Sequence, residues 1–362
     1  MISIVAYRLR LLYTCSTTYP SSTRGDIQTP GAGRKNRLLS RFFQFRAKIN
    51  VKTRIYIDGY NLYFGCLKGT PHKWLDPISL SERLLARSGE RGSILDEEVG
   101  VKFFTAEISE KAASDNTSLN DQRSYHLALH IHCASRLETI KGSYAIDKTK
   151  FPCVEKDDKG NEKQPRDSQR VKIWKLEEKQ SDVNVAIEAV YDAITEPDLE
   201  QVVFVTNDTD IAPALSKIRE YNKLQLRDEV KIGLIVPIKS DDDSRRANKS
   251  LSALADWTIH HIRDEELAAS QLPCRLPAKM SAFKPSGWFK YPDRVQEILE
   301  ILSDREVAKS IPASWKWLSK PLQQVEGLPN LESLPCDCMD DEVALETIRQ
   351  HAIAYATFKK SL

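Results

Sequence analysis

The sequence lacks long apolar runs, organised cysteines and a strong excess of charge of either sign. No stretch approaches the ~20 consecutive apolar residues that a membrane-spanning helix needs, so we expect no contact with a membrane. The seven cysteines are scattered, and only Cys336 and Cys338 lie close together in the sequence. That pattern is typical of free thiols in a reducing compartment, and it therefore predicts a cytoplasmic protein.

Several motifs of known chemistry are also missing. No Gly-x-Gly-x-x-Gly follows a predicted strand, which disfavours an enzyme that binds a nicotinamide dinucleotide. His126, His130 and His132 have helical spacing, but no further ligand lies nearby, so we reject a histidine metal site. We also expect Cys336 and Cys338 to be free thiols, because one pair without further ligands does not complete a metal site.

Charge is distributed unevenly along the chain. The formal net charge is +2, but residues 1–50 contain nine Lys and Arg residues and a single acid, Asp26. The rest of the chain is mildly acidic, so a nucleic acid would have to be held by a local basic patch. We expect residues 1–50 to be a disordered extension, or to result from a start codon assigned too far upstream.

From residue 51 onward, short apolar runs alternate with amphipathic stretches. The predicted strands are Arg54–Asp58, Val101–Ala106, Val171–Trp174, Gln201–Thr206 and Lys231–Val236. Such alternation is typical of a mostly parallel sheet sandwiched by helices, so we predict an α/β, Rossmann-like domain over residues 51–273. Trp174 is expected in its core. Residues 147–170 are expected to form a surface loop or a hairpin insertion.

The region after residue 273 has a different pattern. Its prolines predict a linker over residues 274–284, and helical periodicity predicts a small, mainly helical domain over residues 285–362. This domain contains Trp288, Trp315 and Trp317. It resembles small helical toxin-binding domains at the ends of some bacterial antitoxins. The resemblance and the aromatic residues predict a protein partner or self-association through this domain.

Carboxylates follow several of the predicted strands. Asp58 closes the first strand, Asp208 and Asp210 follow the fourth, and Asp182 begins the helix after the third. The loops after parallel strands converge at one edge of a sheet, so we expect these aspartates to meet there. Asp182 and Asp210 could instead simply cap helices.

Crowded carboxylates repel one another, and a divalent cation compensates that repulsion. Ligands that are all oxygen favour Mg²⁺ or Mn²⁺. Such an ion can activate water and stabilise a leaving oxygen, which predicts hydrolysis of a phosphodiester.

Three sequence blocks resemble the NYN family of PIN-like nucleases, including its LabA-like branch. They are Tyr56–Asn61, Lys175–Asp182 with the following helix, and Val205–Ile211, and the resemblance extends over residues 54–273. It implies a PIN-like, Rossmann-like fold and a metal-dependent endoribonuclease that uses metal-activated water. By this resemblance, Mg²⁺ or Mn²⁺ is bound by Asp58, Asp182, Asp208 and Asp210, with Glu188 as an alternative to Asp182.

The resemblance also implies supporting residues and a partner. Asn61 and Asn207 match asparagines beside the metal or its water, and they complete the predicted catalytic set with the four aspartates. Thr206 is expected to line the same pocket. Independently of the resemblance, basic residues near this edge are candidates for contacts with RNA phosphates: Lys175, Lys179, Arg245 and Arg246. RNA is therefore the predicted partner.

Two alternatives stay open on the sequence alone. The first is a catalytically silent protein that binds RNA or regulates through the same fold. The second is a phosphatase acting on a small metabolite, although no second aspartate follows Asp58 at the spacing that a covalent aspartyl route uses. Binding of a divalent ion at Asp58 and Asp208 would separate the nuclease from the silent protein.

Overall fold

The described residues contain eleven strands, and seven of them build one parallel sheet. The computed structural model describes residues 50–111, 113, 115–242, 245–304, 307 and 310–361, so the expectations for residues 1–49 lie outside the described residues. The strands are β1 (Val51–Asp58), β2 (Ser93–Leu95), β3 (Val101–Thr105), β4 (Leu137–Lys141), β5 (Ser143–Pro152), β6 (Arg170–Lys179), β7 (Gln201–Val205), β8 (Lys231–Ile235), β9 (Trp257–Ile259), β10 (Arg275–Leu276) and β11 (Ala282–Phe283).

The main sheet has the strand order β4-β3-β1-β7-β8-β9, and β2 pairs with the beginning of β1. All of these pairings are parallel. The central strands β3 and β7 are buried along their whole length, and β1 is buried from Thr53 onward. Their nearly continuous apolar sequences are typical of parallel strands that are covered on both faces.

Helices cover the two faces of this sheet. They are α1 (Gly59–Leu62), α2 (Pro77–Arg87), α3 (Ser118–Cys133), α4 (Ser181–Thr195), α5 (Ala212–Lys223), α6 (Lys249–Ser252), α7 (Asp264–Ala268), α8 (Pro292–Ser303), α9 (Ile311–Leu318) and α10 (Glu342–Lys360). α2 and α3 pack on the face that includes Ile55 and Ile57. α4 and α5 pack on the face that includes Tyr56 and Phe204. The alternation of side chains along each strand therefore separates two cores.

The predicted strand Val171–Trp174 is not part of the parallel sheet, which corrects the expectation from the sequence. It belongs to β6, which pairs only with β5 in an antiparallel, two-stranded sheet. We call β5 and β6, with the tip formed by residues 153–169, the arm. Trp174 is 61% exposed and does not lie in the core. Its apolar neighbours point to both faces of an exposed ribbon, a pattern that a sequence cannot distinguish from a buried strand.

The C-terminal region is mainly helical. α8, α9 and α10 pack around Trp315 and form a third core. The segment 274–284 contains the short β10–β11 hairpin, whose Leu276 and Ala282 pack into the core beneath α2 and α3. The described residues thus confirm the predicted Rossmann-like α/β fold with a small helical C-terminal region, while the exact division into domain and linker stays a prediction. None of the described helices is both long and apolar enough to cross a membrane.

A buried ionic network joins α4 to the sheet. The carboxylate oxygen Oδ2 of Asp192 accepts a hydrogen bond from the Tyr56 hydroxyl at 2.7 Å, and it lies 3.0 Å from Arg54 Nη1 and 2.8 Å from Lys102 Nζ. Lys102 Nζ is also 2.6 Å from Glu188 Oε2. Asp192 is 3% exposed, so its charge is compensated by these partners rather than by water.

We expect Asp192→Asn to destabilise the protein by about 3–5 kcal/mol, because it leaves Arg54 and Lys102 buried without their shared anion. The measurement is the free energy of unfolding in urea. Asp198→Asn, an exposed aspartate just beyond the same helix, is the matched control and should change that free energy by less than about 0.5 kcal/mol. Equal effects of the two substitutions would mean that the network contributes nothing specific.

Candidate functional site

Asp58 lies at the carboxyl end of β1 and is 2% exposed. Its Oδ1 accepts a hydrogen bond from the backbone N–H of Asn61 at 2.9 Å, so Asp58 caps the short helix α1. Its Oδ2 accepts a hydrogen bond from the Thr206 hydroxyl at 3.1 Å. A side chain at Gly59 would place its Cβ 2.5 Å from the Phe104 carbonyl oxygen, which explains why glycine follows this aspartate.

The loop after β7 is tied to the loop after β1 by amide side chains. Asn61 Oδ1 accepts a hydrogen bond from the backbone N–H of Asn207 at 3.2 Å. The Asn207 side chain then accepts from the Asn248 backbone N–H at 2.9 Å and donates to the Arg246 carbonyl oxygen at 3.1 Å. The two asparagines therefore hold three loops together at this edge.

The four predicted aspartates lie near enough to one another for their charges to interact, and a fifth carboxylate joins them. The pKa of Asp58 is raised from 3.8 to about 6, mainly by burial and also by the charges of Asp182 and Asp208, against the hydrogen bonds that it accepts. Burial raises the pKa of Asp182, and Asp208 and Asp210 add to the effect. We call Asp58, Glu178, Asp182, Asp208 and Asp210 the acidic cluster.

Glu178 is the member of the acidic cluster that the sequence did not reveal. It lies near the end of β6, and burial raises its pKa, with the charges of Asp58 and Asp182 acting in the same direction. The sequence suggested a loop at this position, so the placement of its side chain beside Asp58 had no visible signal. Glu188, the predicted alternative to Asp182, instead pairs with Lys102 in the ionic network.

The predicted basic residues occupy two different places. Lys175 and Lys179 lie on β6, where both form ion pairs with Glu177. Arg245 lies beside the loop after β1 and donates a hydrogen bond to the Phe64 carbonyl oxygen at 3.2 Å. The Arg246 backbone contacts Asn207, as described above. The arginine pair therefore contacts the loops after β1 and β7, whereas Lys175 and Lys179 share β6 with Glu178.

Three aromatic residues follow Asp58 at the rim of the cluster. Tyr60, Tyr63 and Phe64 are each between 37% and 48% exposed. The ring centroids of Tyr60 and Phe64 are 4.6 Å apart, and those of Tyr63 and Phe64 are 5.2 Å apart. We call these three residues the aromatic shelf. The planes of these ring pairs are inclined at 50° and 89°, so the shelf offers separate exposed ring faces next to carboxylates, and one such face suits a planar ring that carries polar groups.

The fold and this edge define a Rossmann-like α/β protein with an acidic cluster and an aromatic shelf at the carboxyl ends of its central strands. No family model matches the chain. The 6-hydroxy-3-succinoylpyridine 3-monooxygenase HspA from Pseudomonas putida (strain DSM 28022 / S16) is 42% identical over 285 residues, covering 76% of this chain and 87% of that protein. The chain therefore belongs to the family of this monooxygenase.

A solved structure of a protein of unknown function from Vibrio parahaemolyticus is also similar. It is 17% identical, with a TM-score of 0.32, and the alignment covers 61% of this chain and 98% of that one. A likeness at this level supports no conclusion about function.

The predicted ribonuclease activity is wrong. The relative is a monooxygenase, an oxidoreductase, and so it also overturns the predicted hydrolase class, the phosphatase and silent-regulator alternatives, and Mg²⁺ or Mn²⁺ as cofactor. Within the described ranges, no group of three or more His, Cys, Asp or Glu side chains is placed to hold a metal ion. Neighbouring charges raise the pKa values of Asp58, Glu178 and Asp182, but within the described residues the carboxylates are not placed as a ligand set.

Flavins are among the cofactors that carry out O₂ chemistry, and this edge does not fit the diphosphate of a flavin dinucleotide. Such a diphosphate binds at a helix N-terminus where glycine lets the backbone approach closely. Here the N-terminus of α1 is capped by Asp58, and α4 carries Asp182 in its first turn. The space beside Gly59 is filled by Phe104. The carboxylates at both helix N-termini would repel the phosphates.

We expect Asp58→Asn to stabilise the protein in a pH-dependent way. Because the pKa of Asp58 is higher in the folded protein than in the unfolded chain, the wild-type protein loses stability as pH rises through about 6. The variant should match the wild-type protein near pH 4 and exceed it by up to about 3 kcal/mol above pH 7. Urea unfolding across this pH range measures the difference. A difference that does not change with pH would contradict the raised pKa.

Proposed function

We propose that this chain is a monooxygenase that acts on a hydroxylated pyridine bearing a carboxylate side chain. The observation that carries the proposal is the 42% identity over 285 residues to a monooxygenase whose name specifies 6-hydroxy-3-succinoylpyridine. That compound combines a planar ring, a ring hydroxyl and a carboxylate at the end of a short chain. Each of these groups has a candidate partner at the edge that carries the acidic cluster.

The aromatic shelf is the proposed surface for the pyridine ring. A ring stacked on Tyr60 or Phe64 would bury apolar area next to the cluster. Arg245 is the proposed partner of the substrate carboxylate, because it is held beside the shelf by its hydrogen bond to the Phe64 carbonyl oxygen. A guanidinium binds a carboxylate strongly through charge-assisted hydrogen bonds.

Asp182 is the proposed acceptor of the proton from the ring hydroxyl. It is less buried than Asp58, and burial with two neighbouring aspartates raises its pKa. A carboxylate with a raised pKa is a better general base. In the relative's substrate the hydroxyl at position 6 lies para to position 3, so its deprotonation increases electron density at the carbon that the enzyme's name specifies. Asp58 and Thr206 are hydrogen-bonded to each other at the buried end of this site.

The side chains at this site supply no electrons, so the reaction needs an external reductant. In a monooxygenation, one oxygen atom of O₂ enters the substrate and the other leaves as water, which consumes two electrons and two protons. Position 3 of the relative's substrate already carries the succinoyl group, so the oxygen enters between the ring carbon and the acyl carbon: that C–C bond breaks and two C–O bonds form, giving an ester. The assay therefore supplies a reduced nicotinamide and free flavin as reductant. The proposal assigns only substrate binding and proton transfer to this chain's own residues.

The test is incubation of the full-length protein with 6-hydroxy-3-succinoylpyridine, NADH or NADPH, and FAD or FMN under ¹⁸O₂. We expect mass spectrometry to detect one ¹⁸O atom in the product. Asp182→Asn should lower kcat by about 100-fold, as expected for loss of a general base. Asp158→Asn, an exposed aspartate at the tip of the arm, should leave kcat unchanged. Absence of substrate-dependent ¹⁸O incorporation with every reductant would refute the proposed activity.

Arg245→Ala tests the proposed carboxylate contact separately. We expect KM for the carboxylate-bearing substrate to rise about tenfold, because a charge-assisted hydrogen bond worth about 1.5 kcal/mol is lost. An analogue whose side chain ends in a methyl group instead of the carboxylate should show the same KM in both proteins. Arg166→Ala at the tip of the arm is the control. An equal rise in KM for both compounds would rule out this contact.

The proposal includes a cytoplasmic location, which the free thiols of Cys66, Cys133, Cys153, Cys274, Cys336 and Cys338 support. The resemblance to NYN proteins, RNA as a partner and association through the C-terminal domain stay predictions.

A further inference from the structure

Besides the aromatic shelf, apolar side chains are exposed on α4 and on both faces of the arm, and the first surface considered lies on α4. Val183, Ile187, Tyr191 and Ile194 are 59%, 59%, 63% and 44% exposed. Their spacing of three or four residues places them along one side of the helix. We call these four residues the α4 stripe. A contiguous apolar patch of this kind typically marks a contact with another molecule.

The second surface lies on the arm. The register of β5 and β6 pairs Ile146 with Leu176 and Lys148 with Trp174, so that these residues share one face of the ribbon. Trp174 is 61% exposed and Leu176 is 47% exposed. We call this side of the ribbon the arm face. An isolated two-stranded ribbon is only marginally stable in water, so a surface that packs on the arm face would stabilise it.

The two surfaces have opposite charge. The arm face carries four basic residues outside its base: Lys148, Lys150, Arg170 and Lys172. By contrast, residues 181–200, which contain the α4 stripe, include no Lys or Arg. Of their six acids, Glu188 and Asp192 are already paired in the ionic network, and Arg227 donates hydrogen bonds to backbone carbonyls at the end of the helix. Two of these acids, Glu196 and Asp198, are exposed beyond the end of the stripe. Opposite charges around two apolar surfaces favour their association and fix its orientation.

The other face of the arm does not match the stripe in this way. Its charged residues are Asp147, Lys175, Glu177 and Lys179, and their formal charges sum to zero. Lys175 and Lys179 already form ion pairs with Glu177. From this difference in charge we infer that the face carrying Trp174, rather than the other face, contacts the acidic segment around the α4 stripe.

We propose that a second copy of this chain covers these surfaces, with the arm face of each copy packed on the α4 stripe of the other. β6 leads directly into α4, yet the arm of the same chain does not cover the α4 stripe, which stays exposed. A two-fold symmetric pair makes the same contact twice, so one partner provides cover for both surfaces of each copy. This dimer is independent of the proposed catalytic activity.

Sedimentation velocity of the full-length protein over a concentration series tests the proposal. We expect a dimer whose dissociation constant rises about 30-fold or more in Trp174→Glu and in Ile187→Glu, since each places a charge in the centre of an apolar contact. Val343→Glu, at a still more exposed apolar position on α10, should leave the dissociation constant unchanged. Circular dichroism melting of each variant establishes that it is folded.

A mixing experiment distinguishes the exchange of arms from a contact between two α4 stripes. In a mixture of Trp174→Glu and Ile187→Glu, one of the two arm-to-stripe contacts has both original surfaces. The mixture should therefore dimerise more strongly than either variant alone. No gain on mixing would overturn the arrangement. A wild-type protein that stays monomeric at every concentration would overturn the dimer itself, and the two surfaces would then be covered by residues 1–49 or by another protein.

Discussion

The parallel pairing of β1 with β7 is the constraint on which the rest of this edge depends. Its register places Ile57 beside Val205, so the next residues, Asp58 and Thr206, end side by side at the same edge. The hydrogen bond between them is a consequence of that register, and so is the contact of Asn61 with Asn207. A shift of one residue would turn these side chains to opposite faces of the sheet and separate the acidic cluster.

Much of this arrangement can be predicted from the sequence, because it depends on local patterns. Apolar runs that end in Asp58 and Thr206 define buried parallel strands, and parallel strands bring their ends together. The arm could not be predicted in the same way. The apolar residues of β6 occupy both faces of the strand, and only the absence of a covering helix, a tertiary property, leaves Trp174 exposed. The partners of Asp192 likewise come from strands and a helix far apart in sequence.

The activity was the least predictable feature, for a physical reason. Carboxylates at the ends of parallel strands can bind a cation, cap helices or accept protons, and the sequence pattern is the same for all three roles. In this structure Asp58 caps α1, the asparagines tie loops together, and burial raises the pKa of several carboxylates. Which role the carboxylates perform depends on contacts of this kind, which residue types and spacing alone do not specify.

The way in which the arm is attached has a mechanical consequence. A single residue, Gly142, joins β4 to β5, and a Cβ there would lie 2.6 Å from the Lys179 carbonyl oxygen. The other connection is also a single residue, Gln180, which has a positive φ of 79°. With ten residues in each strand, the ribbon is about 33 Å long and is clamped at its root beside Glu178 and Asp182. Both covalent connections of the ribbon therefore lie next to these two carboxylates, so any displacement of the arm reaches the rest of the chain beside them.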